Sequence, residues 1–184
     1  MLKFQKVAKK DLIEEVFGDL IKNKQWKLMA KRVILTTTNE KAFDFNSRIL
    51  ELIQTGDIKI YLSNDEVKED TPKGYIQYTE QFLHSYNSSG LPPHELKLKV
   101  DTPAMLLRNI NPAAGLCNGT RLLVKKMAKN VLECEILNGE RSGELVWIFK
   151  YTLTSEKGRF PFMLSRKQFP IKLCYAMTIN KSQG

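Results

Sequence analysis

Five of the last seven residues carry groups suited to holding phosphate. Thr178, Asn180, Lys181, Ser182 and Gln183 place hydroxyls, amides and an ammonium in one short stretch that closes on Gly184. The run before them, Pro170-Ile171-Lys172-Leu173-Cys174-Tyr175, is apolar enough to predict a buried strand. Polar, basic and small residues at the C-terminal end of such a strand stand where open α/β sheets hold their ligands. The same side chains would serve a capped helix start, with Ser182 and Asn180 bonding only the backbone. A second polar strand end follows Arg32-Val33-Ile34-Leu35, in the string Thr36-Thr37-Thr38-Asn39. Thr36, Thr38 and Asn39 could touch phosphate there; capping of the next helix by Asn39 accounts for them nearly as well.

Other chemistries find less support. None of the ten glycines is followed by lysine, so the chain holds no G-x-x-x-x-G-K-[ST] phosphate loop. Asp65-Glu66 follows Ser63-Asn64 in a polar stretch rather than ending an apolar strand, which leaves nothing placed to hold magnesium. No catalytic residue is expected. Cys117, Cys134 and Cys174 are odd in number and lack C-x-x-C spacing, which argues for reduced thiols. His84 and His94 have no ligand spacing with cysteine or carboxylate, and no metal site is expected from them. Arg108 and Arg121 could line a nucleic-acid channel or be solvated strand charges. Trp26 and Trp147 read as core, whereas Phe160 and Phe162, flanking Pro161 in a basic stretch, are the better stacking candidates.

The elements that must position these groups follow from pattern. With 184 residues, 42% hydrophobic and 27% charged, the chain can bury one ordinary core and a small second lobe. No apolar stretch approaches the roughly 20 residues that cross a bilayer, and the N-terminus lacks a secretory signal pattern, so an intracellular protein without membrane contact is expected. The net charge is +9, and residues 151–184 carry six Lys or Arg against Glu156 alone, a field suited to a polyanion.

Leu12, Ile13, Val16, Phe17, Leu20 and Ile21 predict an amphipathic helix, with Asp11 as N-cap and Glu14 as its capping-box partner. A strand at 32–35, a helix carrying Ala42, Phe45, Ile49, Leu50 and Ile53 inward, and a strand at 58–62 extend this to an α/β pattern. Ser88-Ser89-Gly90-Leu91-Pro92-Pro93 reads as a linker. Beyond it the apolar period becomes two, with turn signals at Asn118-Gly119, Asn138-Gly139 and Lys157-Gly158, which predicts a small antiparallel barrel. After Phe169-Pro170 a continuous apolar strand returns at 171–177, expected to share a sheet with 32–35.

Thr178-Ile179-Asn180-Lys181-Ser182-Gln183-Gly184 resembles the fifth motif of superfamily-one DNA helicases of the PIF-one (petite integration frequency) type, including those carried by Helitron transposons. Arg32-Val33-Ile34-Leu35-Thr36-Thr37-Thr38-Asn39 is similar to their fourth motif. Gly90-Leu91-Pro92-Pro93-His94-Glu95-Leu96 leads into a stretch like their inserted Src-homology-type barrel. Met105-Leu106-Leu107-Arg108-Asn109-Ile110 and Gly115-Leu116-Cys117-Asn118-Gly119-Thr120-Arg121 look like that barrel's core. Two departures stand out: Thr37 where relatives commonly have proline, and Asp101 where they commonly have glycine at a turn.

The resemblance implies an α/β fold, a partial RecA-like second helicase domain interrupted by a small antiparallel barrel. Its parts would be a linker helix region at 1–30, the first part of the RecA-like domain at 31–90, the barrel at 91–169, and the return strand with the fifth motif at 170–184. It implies the C-terminal part of an ATP-dependent helicase unwinding 5′ to 3′, with Thr178, Asn180, Lys181, Ser182, Thr36, Thr38 and Asn39 on DNA and Gln183 and Gly184 coupling to nucleotide. ATP and Mg2+ would belong to the full-length parent, with none expected on this chain alone. Single-stranded DNA and the missing first RecA-like domain are the implied partners, in the nucleus or mitochondrion of a eukaryote. The rival expectation is a non-enzymatic single-strand-binding remnant of a transposon helicase.

Overall fold

The computed structural model describes residues 11–68, 78–86, 90–155 and 162–179. Helix α1, Leu12–Lys22, forms where the apolar spacing predicts it and buries Ile13, Phe17 and Leu20 along one face. Asp11 is its N-cap and accepts from Ile13 N at 3.2 Å. Glu14 does not complete a capping box; its carboxylate accepts from Lys22 Nζ at 3.0 Å, two turns on. A short helix α2, Trp26–Met29, leads to strand β1, Ile34–Thr36, and then to helix α3, Asn39–Leu52. Thr38, not Asn39, caps α3, its Oγ1 accepting from Lys41 N at 3.3 Å.

The next strands depart from the simple α/β reading. Strand β2, Lys59–Leu62, pairs antiparallel with β4, Glu95–Leu98, rather than joining β1. Its sequence explains why: Tyr61 is buried while Ile60 and Leu62 are exposed, the one-sided pattern of an antiparallel ribbon and not of a strand covered on both faces. Strand β3, Asn64–Lys68, pairs with β10, Met163–Gln168, which also pairs with β9, Tyr151–Thr154. Residues 59–68 therefore lie with the β module, although they precede the linker in sequence. Helix α4, Glu80–Ser85, packs against β3.

The largest sheet has five antiparallel strands, in the order β11-β5-β6-β7-β8: Ile171–Leu173, Pro103–Leu106, Arg121–Met127, Val131–Ile136 and Leu145–Phe149. Its inner face closes with Tyr61, Leu96, Leu98 and Phe169 over one apolar core. The expected barrel is not closed among the described residues: the five-stranded sheet, the β3-β10-β9 sheet and the β2-β4 ribbon remain separate ladders. Period-two alternation marks antiparallel strands with one buried face, but it carries no information on whether the first and last strands pair.

The apolar run at 171–177 divides between two sheets. Strand β11 pairs with β5 in the five-stranded sheet, and β12, Ala176–Thr178, pairs in parallel with β1. The expected sharing of a sheet with the first strand is right for its second half alone. Cys174 and Tyr175, both fully buried, join the halves, and Tyr175 sets its ring edge-on against Phe17 of α1 with centroids 6.1 Å apart. Continuous hydrophobicity reports burial on both faces, which is met here by two different neighbours in succession.

Candidate nucleic-acid interface

The parallel pair β1–β12 brings the two polar strand ends together. Ile34 lies opposite Ala176, Leu35 opposite Met177, and Thr36 opposite Thr178. Two segments more than 140 positions apart thus finish side by side, at the end of the pair from which α3 also starts.

Each threonine there has a different task. Thr36 is 6% exposed, and its hydroxyl donates to Thr38 O at 2.9 Å, with Met177 O at 3.4 Å. It shapes the turn between β1 and α3 and presents no free hydroxyl donor. Thr38 is exposed and caps α3, and Asn39 is exposed on the first turn of that helix. Thr178 is half-buried at the last position of β12. Asn180, Lys181, Ser182, Gln183 and Gly184 lie outside the described residues. Helix α3 starts just beyond Thr36, and a helix N-terminus carries partial positive charge.

Asn46 positions this site, and sequence reasoning did not single it out. Its side chain, on the buried face of α3 and 8% exposed, accepts from Ala176 N at 3.0 Å and donates to Ala176 O at 2.9 Å and Ala42 O at 2.8 Å. The amide therefore pairs with the free edge of β12 as a neighbouring strand would. The available signal was a polar residue on the apolar face defined by Ala42, Ile49 and Ile53. Buried polar groups are rare without a partner, so such a position marks a specific hydrogen bond.

The other candidates are distributed elsewhere. Arg108 donates to Thr154 O at 3.3 Å, and Arg121 to Arg32 O at 3.3 Å, so each bridges two segments of the fold. Phe162 is buried in an aromatic group with Tyr78, Phe82 and Tyr86, which removes it as a stacking platform; Phe160 lies outside the described residues. Trp26 packs partly buried against the α/β core as expected, but Trp147 on edge strand β8 is 67% exposed. Asp101 has φ +59°, a left-handed conformation, which is the physical reason a glycine suits that turn. Its carboxylate accepts from Lys125 Nζ at 2.6 Å.

A groove of about 490 Å³ runs from Asn39 along α3 to the β2–β4 ribbon, with Phe43, Leu50, Ile58 and Leu96 among its walls and Lys97 and Lys172 at its rim. The β3–β10 pair carries a polar centre. Arg166, fully buried, holds Asp65 through Nε at 2.9 Å and Nη2 at 2.6 Å, and donates to Leu83 O, Tyr86 O and Pro92 O. Burial opposes ionisation of Asp65, but hydrogen bonds from Arg166 and Ser63 outweigh it and hold the carboxyl below its usual range. His84 and His94, distant from Asp65 in sequence, stack beside it with ring centroids 3.5 Å apart. Burial first, and then the neighbouring His84, lowers the pKa of His94.

Comparison with known proteins identifies the relatives of this arrangement. Residues 81–127 match the family described as DNA helicase Pif1, 2B domain. The ATP-dependent DNA helicase PIF1 of Xenopus laevis is 27% identical over 165 residues, covering 83% of this chain and 24% of that protein. The human protein of the same description is 33% identical over 92 residues, covering 48% of this chain and 14% of its own length. Among solved structures, the Pif1 helicase of Candida albicans superposes with a TM-score of 0.59 at 23% identity, covering 91% of this chain and 45% of that one. Bacteroides Pif1 bound to ssDNA gives 0.53 at 20%, covering all of this chain and 43% of that one. The chain thus spans about a quarter or less of these curated relatives and under half of the solved chains. The motif-based resemblance to Pif1-type superfamily-one helicases stands, and the fold is theirs.

Proposed function

We propose that this chain is the DNA-gripping and nucleotide-coupling part of an ATP-dependent, Pif1-type DNA helicase. The observation that supports the reading is the register of β1 and β12, which sets Thr36 of the fourth-motif string against Thr178, the first residue of the fifth-motif string. Relatives of matching sequence are described as ATP-dependent DNA helicases, and one structure of matching fold holds single-stranded DNA.

In this reading Thr178, Asn180, Lys181 and Ser182 hold phosphates of a single strand, with Thr38 and Asn39 beside them and Thr36 shaping the turn. Gln183 and Gly184 pass nucleotide state to that grip. ATP and Mg2+ would bind against a RecA-like domain carrying a phosphate loop, the sequence element this chain lacks. Catalysis of phosphoryl transfer is almost entirely positioning and charge stabilisation, so these residues acting alone would hold DNA without hydrolysing ATP. Closing and reopening of the two domains would move the strand, 5′ to 3′ as in the expectation drawn from the motifs.

The test is equilibrium binding of the 184-residue chain to labelled single strands across a salt series. With 2 to 4 phosphates held, log affinity should fall with log salt at a slope of about −1.5 to −3. Lys181→Ala should weaken every sequence alike and shallow the slope by about 0.7. Unchanged affinity and slope in that variant would reduce the terminal motif to a strand end.

A further inference from the structure

His84, His94 and Asp65 come from α4, the segment before β4, and β3, and their ligand atoms all lie within 4.8 Å of one another. That is the spacing at which side chains can surround one ion. The local hydrogen bonds also settle which nitrogen of His94 is free. The carboxylate of Asp65 is ionised against Arg166 and has no proton to give, so Ser63 Oγ donates its single hydrogen to Asp65 Oδ1, at 2.7 Å. The contact of Ser63 Oγ with His94 Nδ1 at 2.8 Å then requires the imidazole to donate. His94 is consequently the Nδ1–H tautomer, with the lone pair of Nε2 unused by this relay. A histidine that donates one ring N–H to a carboxylate or an oxygen tied to one, leaving the other nitrogen bare, is arranged as metal-ligating histidines are.

We propose that His94 Nε2 and His84 form a binding site for a borderline dication that favours imidazole, with Zn2+ as the probe, and that Ser63 and Asp65 orient it. Asp65 already accepts from Ser63 and Arg166, so it acts through the Ser63 relay; water completes the coordination. The Asp65–Arg166 pair is close to neutral as a unit, which removes most of the repulsion the guanidinium alone would exert. The present rings are nearly parallel, 11° between planes, and lone pairs lying in parallel planes do not converge. Ligation therefore turns one ring out of the stack. His84 is the ring with the freedom to do so, being half-buried near the end of a six-residue helix. This site is independent of the DNA-binding reading and stands or falls without it.

The chain contains two histidines, which makes the test direct. Untagged protein carrying Cys117→Ser, to remove the half-buried thiol as a competitor, is titrated with Zn2+ by calorimetry and by NMR of the imidazole nitrogens. The expected result is one equivalent bound, both imidazoles shifting together, and reversal by EDTA. His84→Ala and His94→Gln should each weaken binding tenfold or more, and Ser63→Ala by about 10- to 100-fold through loss of tautomer control. The NMR arm needs no substitution at the site, so a poorly folding variant does not blunt it. Failure of either imidazole to respond to Zn2+, or binding that survives His84→Ala unchanged, overturns the proposal.

Discussion

Asn46 and Arg166 are both polar side chains sunk in the interior, and they hold the two halves of the molecule in different ways. Asn46 is neutral and makes three hydrogen bonds to backbone, two of them to Ala176, along the edge of a strand pair only three residues long. Arg166 is charged and fully buried, and it collects a carboxylate and three carbonyls from β3, α4 and the segment leading to β4. The β module around Arg166 already has extended ladders and a core of its own. The β1–β12 pair shares a core with α1 and α3 but has only two short strands, and a side-chain amide stands in for a neighbouring strand. Where backbone pairing is abundant, a buried polar group adds to the fixing of loops; where it is sparse, one such group decides whether the strand end is held.

The largest effect should come from breaking the charged anchor. Arg166→Leu leaves the Asp65 carboxylate buried without its partner, and denaturant unfolding should show a loss of about 3–5 kcal/mol. A loss under about 1 kcal/mol, within the range of surface ion pairs, would mean that water replaces the guanidinium. Next, Asn46→Ala should cost about 2–3 kcal/mol, since Ala176 N and O lose their side-chain partners. Under conditions where the variant remains folded, its affinity for single strands should fall too, whereas folded Arg166→Leu should keep most of its affinity. Equal losses of affinity in the two variants would erase the distinction drawn between the halves.

Acid should separate the halves more gently. The pKa of His94 is lowered in the fold, so the unfolded chain binds more protons between that value and about 6.5, and stability falls as pH drops through this window. Stability curves from pH 7.5 to 5 in EDTA should show the decline, and His94→Gln should flatten it; a decline of equal size in the variant would assign it to other groups. The smallest effect is expected at the turn before β5. Asp101→Gly relieves a left-handed φ of 59° but gives up the ion pair with Lys125, for a net gain of up to about 1 kcal/mol in unfolding free energy. A net loss would show that the ion pair outweighs the backbone strain.

Much of this is legible in the order of the residues. The spacing of Ile13, Phe17 and Leu20 defines α1, period-two alternation marks β7, and the change from apolar to polar residues after Met177 marks the end of β12, because local periodicity and turn chemistry are written in neighbouring residues. The oddity of Asp101 is visible as well, and its positive φ supplies the cause. What the tertiary structure alone decided were the matters of partner. Lys59–Leu62 joins a ribbon with Glu95–Leu98, the run at 171–177 divides between two sheets, and no closed barrel forms among the described strands. The meeting of Asp65 with His84 and His94, the exposure of Trp147 and the grip of Asn46 on Ala176 belong to the same class. Hydrophobic pattern specifies that a face must be covered, at a free energy that depends on area and hardly on what covers it. Which strand or side chain does the covering depends on directional hydrogen bonds between segments far apart in the chain, and these take definite form once the chain has folded around them.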